Sequence, residues 1–402
     1  MIRRNLRHLR VFLAVADLGS LTQASAACNI SQPAATQAIK KLEAAAGGLL
    51  FQRASQGVFL TERGALLAER VRRAFARLDP ALSEISQRLP HVASAPQLEA
   101  LAEVAEAESF TLAARRLGLA QPTVHRAVSQ LEKDCDRPLL RRTPQGLVPS
   151  RACRALADAV RLAFSEFDQA MAELAVFDGR EAGRIVIGAL PLSRSALLPQ
   201  ALIGFRARYP NLPIHVVDGP YGDLLAGLRR GALDVIVGAL RDPVPVADVV
   251  QEPLMQDKLA IVARPGHPLA SARGLTAAAL AAQSWVVPRE GSPTRVQFDA
   301  FFAGAQVPAP ASVIESGSIL LMREVLNRTD FLGCISDAQA RVECDAGLLT
   351  RLEIAADWAA RPIGLTYRAD WMPTRAQAHM LELLRDGARE QQAMPRSGQT
   401  PG

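Results

Sequence analysis

Apolar residues in the first part of the chain recur at helical spacing. Leu9, Phe12, Leu13, Val15 and Ala16 mark one helix face. Gly19 is placed to end that helix and Ser20 to cap the next. Leu21, Ala24, Ala27 and Cys28 line a short second helix, and Asn29-Ile30 turns the chain. Ser31 offers a side-chain oxygen to a third helix, with Pro33 in its first turn where no N–H is needed. Ala34, Ala38, Ile39 and Leu42 give that helix its packing face. Val58-Phe59-Leu60, after Gln56-Gly57, reads as a strand behind a turn, and residues 66–82 are helical again. Two short helices joined by a tight turn, followed by a hairpin, predict a winged helix-turn-helix.

The same pattern occurs twice. A shift of 89 positions aligns Leu9–Phe75 with Leu98–Phe164 without a gap. Ser20/Ser109, Thr22/Thr111, Gln32/Gln121, Pro33/Pro122, Leu42/Leu131, Glu43/Glu132, Arg53/Arg142, Gly57/Gly146 and Phe75/Phe164 are among the matches. Copy two departs at three places. Ala120 replaces the capping Ser31, Leu140 replaces Phe51, and Pro149-Ser150-Arg151-Ala152-Cys153 replaces Leu60-Thr61-Glu62-Arg63-Gly64. Losing a Ser cap costs about 0.5–2 kcal/mol. A proline in a strand removes a hydrogen bond, which predicts a shortened or bent second wing.

Each copy is followed by a helical run. The second, residues 151–177, carries Leu156, Val160, Ala163, Phe164, Phe167, Met171 and Leu174 at helical spacing, free of glycine and proline before its end. Beyond residue 184, short apolar strands (Arg184-Ile185-Val186-Ile187-Gly188, Ile214–Val217, Asp234–Gly238) alternate with helices at 197–209 and 224–230, which implies a mainly parallel sheet. Residues 259–262 lead into a second lobe with Trp285-Val286-Val287, and residues 362–367 bring the chain back.

Composition narrows the class. The chain has 402 residues, 49% hydrophobic and 21% charged, an ordinary globular balance with room for several domains. No apolar run is long enough for a spanning helix, and the basic N-terminus leads into no signal-peptide pattern, so a cytoplasmic location is expected. Five cysteines without a C-x-x-C pair argue against a disulfide framework or a zinc module. Residues 1–90 carry 13 basic against 6 acidic side chains, residues 91–180 carry 11 against 12, and the remainder balances at 22 each. A basic first module on a neutral body suits a polyanion.

The run SLTQASAACNISQPAATQAIKKLEAAAGGLLFQRASQGVFLTERG closely resembles the winged helix-turn-helix of LysR-type transcriptional regulators. Copy one keeps Ser20, Thr22, Ser31-Gln32-Pro33-Ala34, Leu42-Glu43, Leu50-Phe51, Arg53, Leu60-Thr61 and Gly64 of that pattern. The resemblance implies no cofactor and no enzyme activity. It implies a multidomain chain: two winged helix-turn-helix modules plus a two-lobed α/β effector domain like a type 2 periplasmic binding protein. The YPN, GALDVIVGAL and PGHPLA segments support that last part, and residues 217–221 with 238–240 resemble the galactose-binding-protein regulator branch. In such proteins the linker helix pairs with its twin in a dimer. The expected domains are module one at 1–64, helix and short linker at 65–96, and module two with its degenerate wing at 97–150. A linker or dimerisation helix follows at 151–180, then the effector domain at 181–386 and a disordered tail at 387–402. Lobe 1 would take about 184–260 and 361–386, and lobe 2 about 261–360.

The third helix of each copy would enter the major groove of double-stranded DNA. Its solvent face in copy one is read as Gln32, Ala35, Thr36, Gln37 and Lys40, at a start shaped by Ser31 and Pro33. Gln suits adenine, Thr a base edge or thymine methyl, Lys guanine or phosphate. Arg53 belongs to the backbone-positioning class. The matching positions in copy two are Gln121, Thr123, Val124, His125, Arg126 and Ser129. Copy two is open to three roles: weak binding, reading a different sequence, or acting as a spacer.

Three loops with hydroxyls at helix starts are candidates for a small-molecule effector, a carboxylate or a sugar: Pro191, Ser193, Arg194 and Ser195; Ser292 and Thr294; Ser316, Gly317 and Ser318. Expected partners are DNA, that effector, further copies in a homodimer or homotetramer, and RNA polymerase if the protein activates; no membrane is expected. A regulator without an effector, and an α/β enzyme, are the alternatives. The enzyme is disfavoured by six scattered histidines and the absence of a nucleophile elbow or P-loop.

Overall fold

A computed structural model describes Ile2 and residues 5–393, apart from 55, 56, 136, 145, 196, 355–357 and the side chain of Arg53. Two compact units, Met1–Arg184 and Ile185–Gly402, make up the chain.

In the first unit, copy one folds as α1 (Leu6–Leu18), α2 (Leu21–Ala27), α3 (Gln32–Ala46), a hairpin of β1 (Phe51–Ala54) and β2 (Gly57–Leu60), and α4 (Glu62–Ile85). After the single turn α5 (Leu89–Val92), copy two repeats the order with α6 (Ala95–Ala107), α7 (Phe110–Leu117), α8 (Gln121–Asp134), β3 (Leu140–Thr143), β4 (Gly146–Pro149) and α9 (Arg151–Val176). The pattern of matched residues has a physical basis. Leu42 and Leu131 are core, while the neighbouring Glu43 and Glu132 accept the backbone N–H of Leu50 (3.0 Å) and Leu139 (2.7 Å), fixing the entry to each wing. Thr61 caps α4, and a Cβ on Gly64 would lie 2.0 Å from the Leu50 carbonyl oxygen, so only glycine lets α4 start there. Copy two has Cys153 at that place, its thiol fully buried and pushed up to about 12 by desolvation.

The second wing is not shortened. β3 and β4 pair over four residues, Leu140 opposite Pro149, as β1 and β2 pair Phe51 with Leu60. The ladder is continued by the Ser150 N–H, which donates to Leu139 O at 2.9 Å. Alternation along the strand therefore turns the Pro149 nitrogen away from the partner strand, where no N–H is needed.

The apolar face of α9, expected to meet a twin helix, is covered by α4 of the same chain. One continuous core joins both copies and runs from α1 to the end of α9.

The second unit holds two sheets. The first has the order β6-β5-β7-β14-β8, made from β5 (Ile185–Ala189), β6 (Ile214–Val217), β7 (Val235–Ala239), β8 (Val249–Asp257) and β14 (Arg361–Arg368). The helices α10 (Leu197–Arg208), α11 (Tyr221–Arg229) and α16 (Arg375–Ala393) accompany it. The other has the order β11-β10-β12-β9-β13, from β9 (Leu259–Ala263), β10 (Trp285–Val287), β11 (Val313–Glu315), β12 (Leu332–Ser336) and β13 (Thr350–Arg351). Its helices are α12 (Ala277–Ala281), α13 (Pro293–Gly304), α14 (Ile319–Leu326) and α15 (Asp337–Asp345). Both sheets are mixed: three parallel strands each, with β14 antiparallel to β7 and β8, and β9 antiparallel to β12 and β13. The returning strand β14 bulges at Ile363/Gly364, where a Cβ on Gly364 would meet the Glu252 carbonyl oxygen at 1.9 Å. The helix α16 continues past Gly387, which with Ala388 is buried, so residues 387–393 are helix and not tail. Residues 394–402 lie outside the described residues.

Candidate DNA interface and interlobe cleft

Helix α3 begins with Ser31, whose Oγ accepts the Ala34 N–H at 3.3 Å. Gln32, Gln37 and Lys40 are exposed on one side of it, and Thr36 is half-buried with its hydroxyl donating to Gln32 O at 3.0 Å. Ala35 is fully buried and cannot touch DNA. The exposed alanine is Ala34, so the sequence reading placed these two small residues on the wrong sides of the helix. Alanine carries too little polarity to fix the phase of a helix, which is why the copy-two counterpart, Val124, is the clearer marker: it too is fully buried. Arg53 sits on β1 opposite Val58; its side chain lies outside the described residues.

Helix α8 starts at Ala120 with no side-chain cap, as expected. Gln121, Thr123, His125 and Arg126 are exposed and Ser129 is half-buried. The His125 ring leans on Phe110 at 5.0 Å, and its Nδ1 lies 3.4 Å from Ser129 Oγ. That contact orients the imidazole on the outer face of α8. Arg141 and Arg142 on β3 are both exposed. Arg141 was missed in the sequence; the consecutive arginines on a strand behind a helix-turn-helix were the available signal. Copy two thus presents a polar helix face and a cationic wing, the two parts a DNA contact needs.

In the second unit, the C-terminal ends of β5, β6 and β7 lie along one edge of their sheet, where parallel strands leave a crevice. Because β14 is antiparallel to β7, its first residue, Arg361, is brought to the same edge, as is Asp257 at the end of β8. Both residues flank the crossovers between lobes. Their buried ion pair closes at 3.0 Å, and Arg361 also donates to Thr294 Oγ1 at the start of α13 in lobe 2. Desolvation raises the pKa of Asp257, which Arg361 opposes.

The candidate loops divide. Pro191 and Arg194 are exposed, Arg194 pairs with Asp218 at 3.2 Å, and Ser195 is half-buried. Ser193 is fully buried and its hydroxyl donates to Leu190 O at 2.8 Å, so it supports the loop and is not open to a ligand. Ser292 and Ser318 cap α13 and α14, and Ser316 Oγ accepts the Ser318 N–H at 3.1 Å beside Gly317. A residue the sequence reading missed is Arg241, in the loop after β7. Its guanidinium lies 4.2 Å over the Tyr221 ring, Nη1 donates to Ala239 O, and no carboxylate pairs with it among the described residues. Desolvation holds its pKa below the usual value, with Tyr221 opposing this and Arg361 adding to it. A half-buried guanidinium that no carboxylate meets among the described residues suits a carboxylate ligand. Only a lone Arg after a Gly-Ala-Leu strand end marked it in the sequence.

The profile described as bacterial regulatory helix-turn-helix protein, lysR family, matches residues 6–65 and again 96–154, and the LysR substrate binding domain profile matches 178–389. The chain is 36% identical to the HTH-type transcriptional regulator GalR of Pseudomonas putida, over 96% of this chain and 98% of that one. It is 29% identical to the regulator PcaQ of Agrobacterium fabrum, over 73% and 94% respectively. The crystal structure of full-length CbnR complexed with its target DNA shares the fold, with a TM-score of 0.51 and 19% identity over 73% of this chain and 99% of that one.

Proposed function

The chain belongs to the LysR family of transcriptional regulators, and from that membership we propose that it binds a specific operator through α3 and α8 under control of an anionic small molecule held between the lobes. The observation that carries the effector reading is Arg241, a half-buried cation at the strand-end crevice whose guanidinium meets a ring face and a carbonyl, and no carboxylate among the described residues. Arg361 lies near enough to act on Arg241 electrostatically, and its guanidinium reaches Thr294 Oγ1 at the start of α13, which ties this cation to lobe 2. A carboxylate fits this set better than a sugar, because a neutral hydroxyl leaves the guanidinium uncompensated. The effector biases the lobe arrangement and so the DNA-reading heads. Self-association runs through the second unit, where the edge strands β6 and β11 expose Val216, Val217, Val313 and Ile314. RNA polymerase is the further partner if the output is activation.

Calorimetric titration with a panel of small carboxylates and size-matched neutral sugars tests the effector. Wild type is expected to bind a carboxylate, and Arg241→Gln to weaken it at least about tenfold, the worth of a charge-assisted hydrogen bond. Binding of sugars alone, or equal binding by the variant, overturns the anionic reading. DNA binding to the region upstream of its own gene is expected to weaken steeply with salt, by a slope of about 0.9 per phosphate neutralised.

A further inference from the structure

We infer that one chain carries both halves of a two-headed DNA reader, so that its operator consists of two unlike half-sites served by α3 and α8 of the same molecule; this rests on the DNA-binding reading above. The observation is the pairing of α4 with α9. Along α4, rising residue number meets falling number beyond and along α9. Arg63 pairs with Asp178 at 2.8 Å, Arg70 with Glu173 and Glu166 at 2.9 Å each, and Arg77 approaches Glu166 at 3.6 Å. The two helices are antiparallel.

The offset of 89 makes Arg77 and Glu166 equivalent positions of the two copies. Equivalent residues facing each other across an antiparallel pair mark an approximate two-fold axis, the arrangement of a symmetric dimer, here closed inside one chain. Phe75 and Phe167 pack edge-on beside it at 6.2 Å.

The charges are not symmetric. The helix α4 offers Arg70, Arg73 and Arg77, where the equivalent positions of α9 are Ala159, Leu162 and Glu166. Glu166 is buried and also takes Arg73 at 3.3 Å. Pairing α4 with a second α4 would set Arg77 against Arg77, and α9 with a second α9 would bury Glu166 against Glu166. Like charges at a dry contact oppose both, and unlike charges favour the mixed pair. The heads held by this pair differ on their outer faces: Gln32, Thr36 and Lys40 on one, Gln121, His125 and Arg126 on the other. A pseudo-symmetric body with unlike reading faces matches an operator that is not a palindrome.

Two measurements on the full chain test this. In a background with the half-exposed Cys28 and Cys344 changed to Ser, Arg77→Cys with Glu166→Cys is treated with bismaleimides of increasing length. A crosslinked species of one chain's mass is expected. A two-chain species, or no crosslink at any length, overturns the single-chain pair. Separately, sites are selected from random duplex DNA for wild type and two triple variants. Gln32→Ala/Thr36→Ala/Lys40→Ala is expected to lose preference in one half-site only, and Gln121→Ala/His125→Ala/Arg126→Ala in the other only. A palindromic site, or no effect of the second triple, overturns the unlike half-sites. If the one-chain crosslink forms and no sequence is enriched, the DNA-binding reading itself fails, and the operator inference with it. Enrichment without the one-chain crosslink sinks the pairing alone.

Discussion

Glu252 shows how single side chains secure the effector unit. It accepts from Arg385 at 2.7 and 2.9 Å and from the Tyr367 hydroxyl at 3.1 Å, and the Arg385 hydrogen bond holds its carboxyl below the usual value. A depressed carboxylate stabilises the fold above its unfolded pKa, about 4.3, and that contribution fades as pH falls through the lower folded value. Glu252→Gln is therefore expected to lower the melting temperature at pH 7 and to make progressively less difference toward pH 3. A constant difference across that range would show that the ion pair contributes nothing. Residues of this kind were poorly legible in the sequence. Gln32, Lys40, Gln121 and Arg126 could be placed outside from apolar spacing alone, and they are exposed. Ala35 and Ser193 could not, because a small residue has little preference and a serine hydroxyl is satisfied as well by a nearby carbonyl as by a ligand. Arg241 was marked only by its place after a strand end, because nothing local distinguishes a half-buried arginine from a solvated one.

The two recognition helices differ at their first residue. Ser31 and Ala120 share nearly the same backbone, φ −72° and ψ 150° against φ −74° and ψ 139°, yet only Ser31 offers a cap. Ala120→Ser is thus set to gain a hydrogen bond without strain and to stabilise the first unit by about 1 kcal/mol, while Ser31→Ala loses a similar amount, both measurable by denaturant unfolding. No change from Ala120→Ser would mean that water already serves the first N–H groups of α8. Helices were the legible elements, since their apolar spacing persists over many residues. β8 was not seen, because its polar Gln251, Glu252, Gln256 and Asp257 and the interior Pro253 hide a strand signal. The wing was read correctly as a strand, and its proline misread, because one must know which way a backbone nitrogen points before a missing N–H matters.

Fold class and family were legible because the duplicated motif is long and its core positions repeat in register. What the pattern could not supply was the partner of each linker helix. An apolar stripe states that a face is covered and not by which chain. On the proposed self-association through β6 and β11, Val216→Lys with Ile314→Lys is expected to shift sedimentation toward single chains while leaving the selected DNA site unchanged. Retention of the wild-type sedimentation profile would locate self-association elsewhere.

The pairing of α4 with α9 also bears on how such a regulator diverges. In a homodimer every substitution in the reading helix appears in both heads at once, so an operator must change in both halves together. Here a mutation in α3 leaves α8 untouched. Each half-site can drift with its own head, one step at a time, with the other still holding the protein in place. Duplication inside the gene thereby converts a doubled constraint into two separate ones.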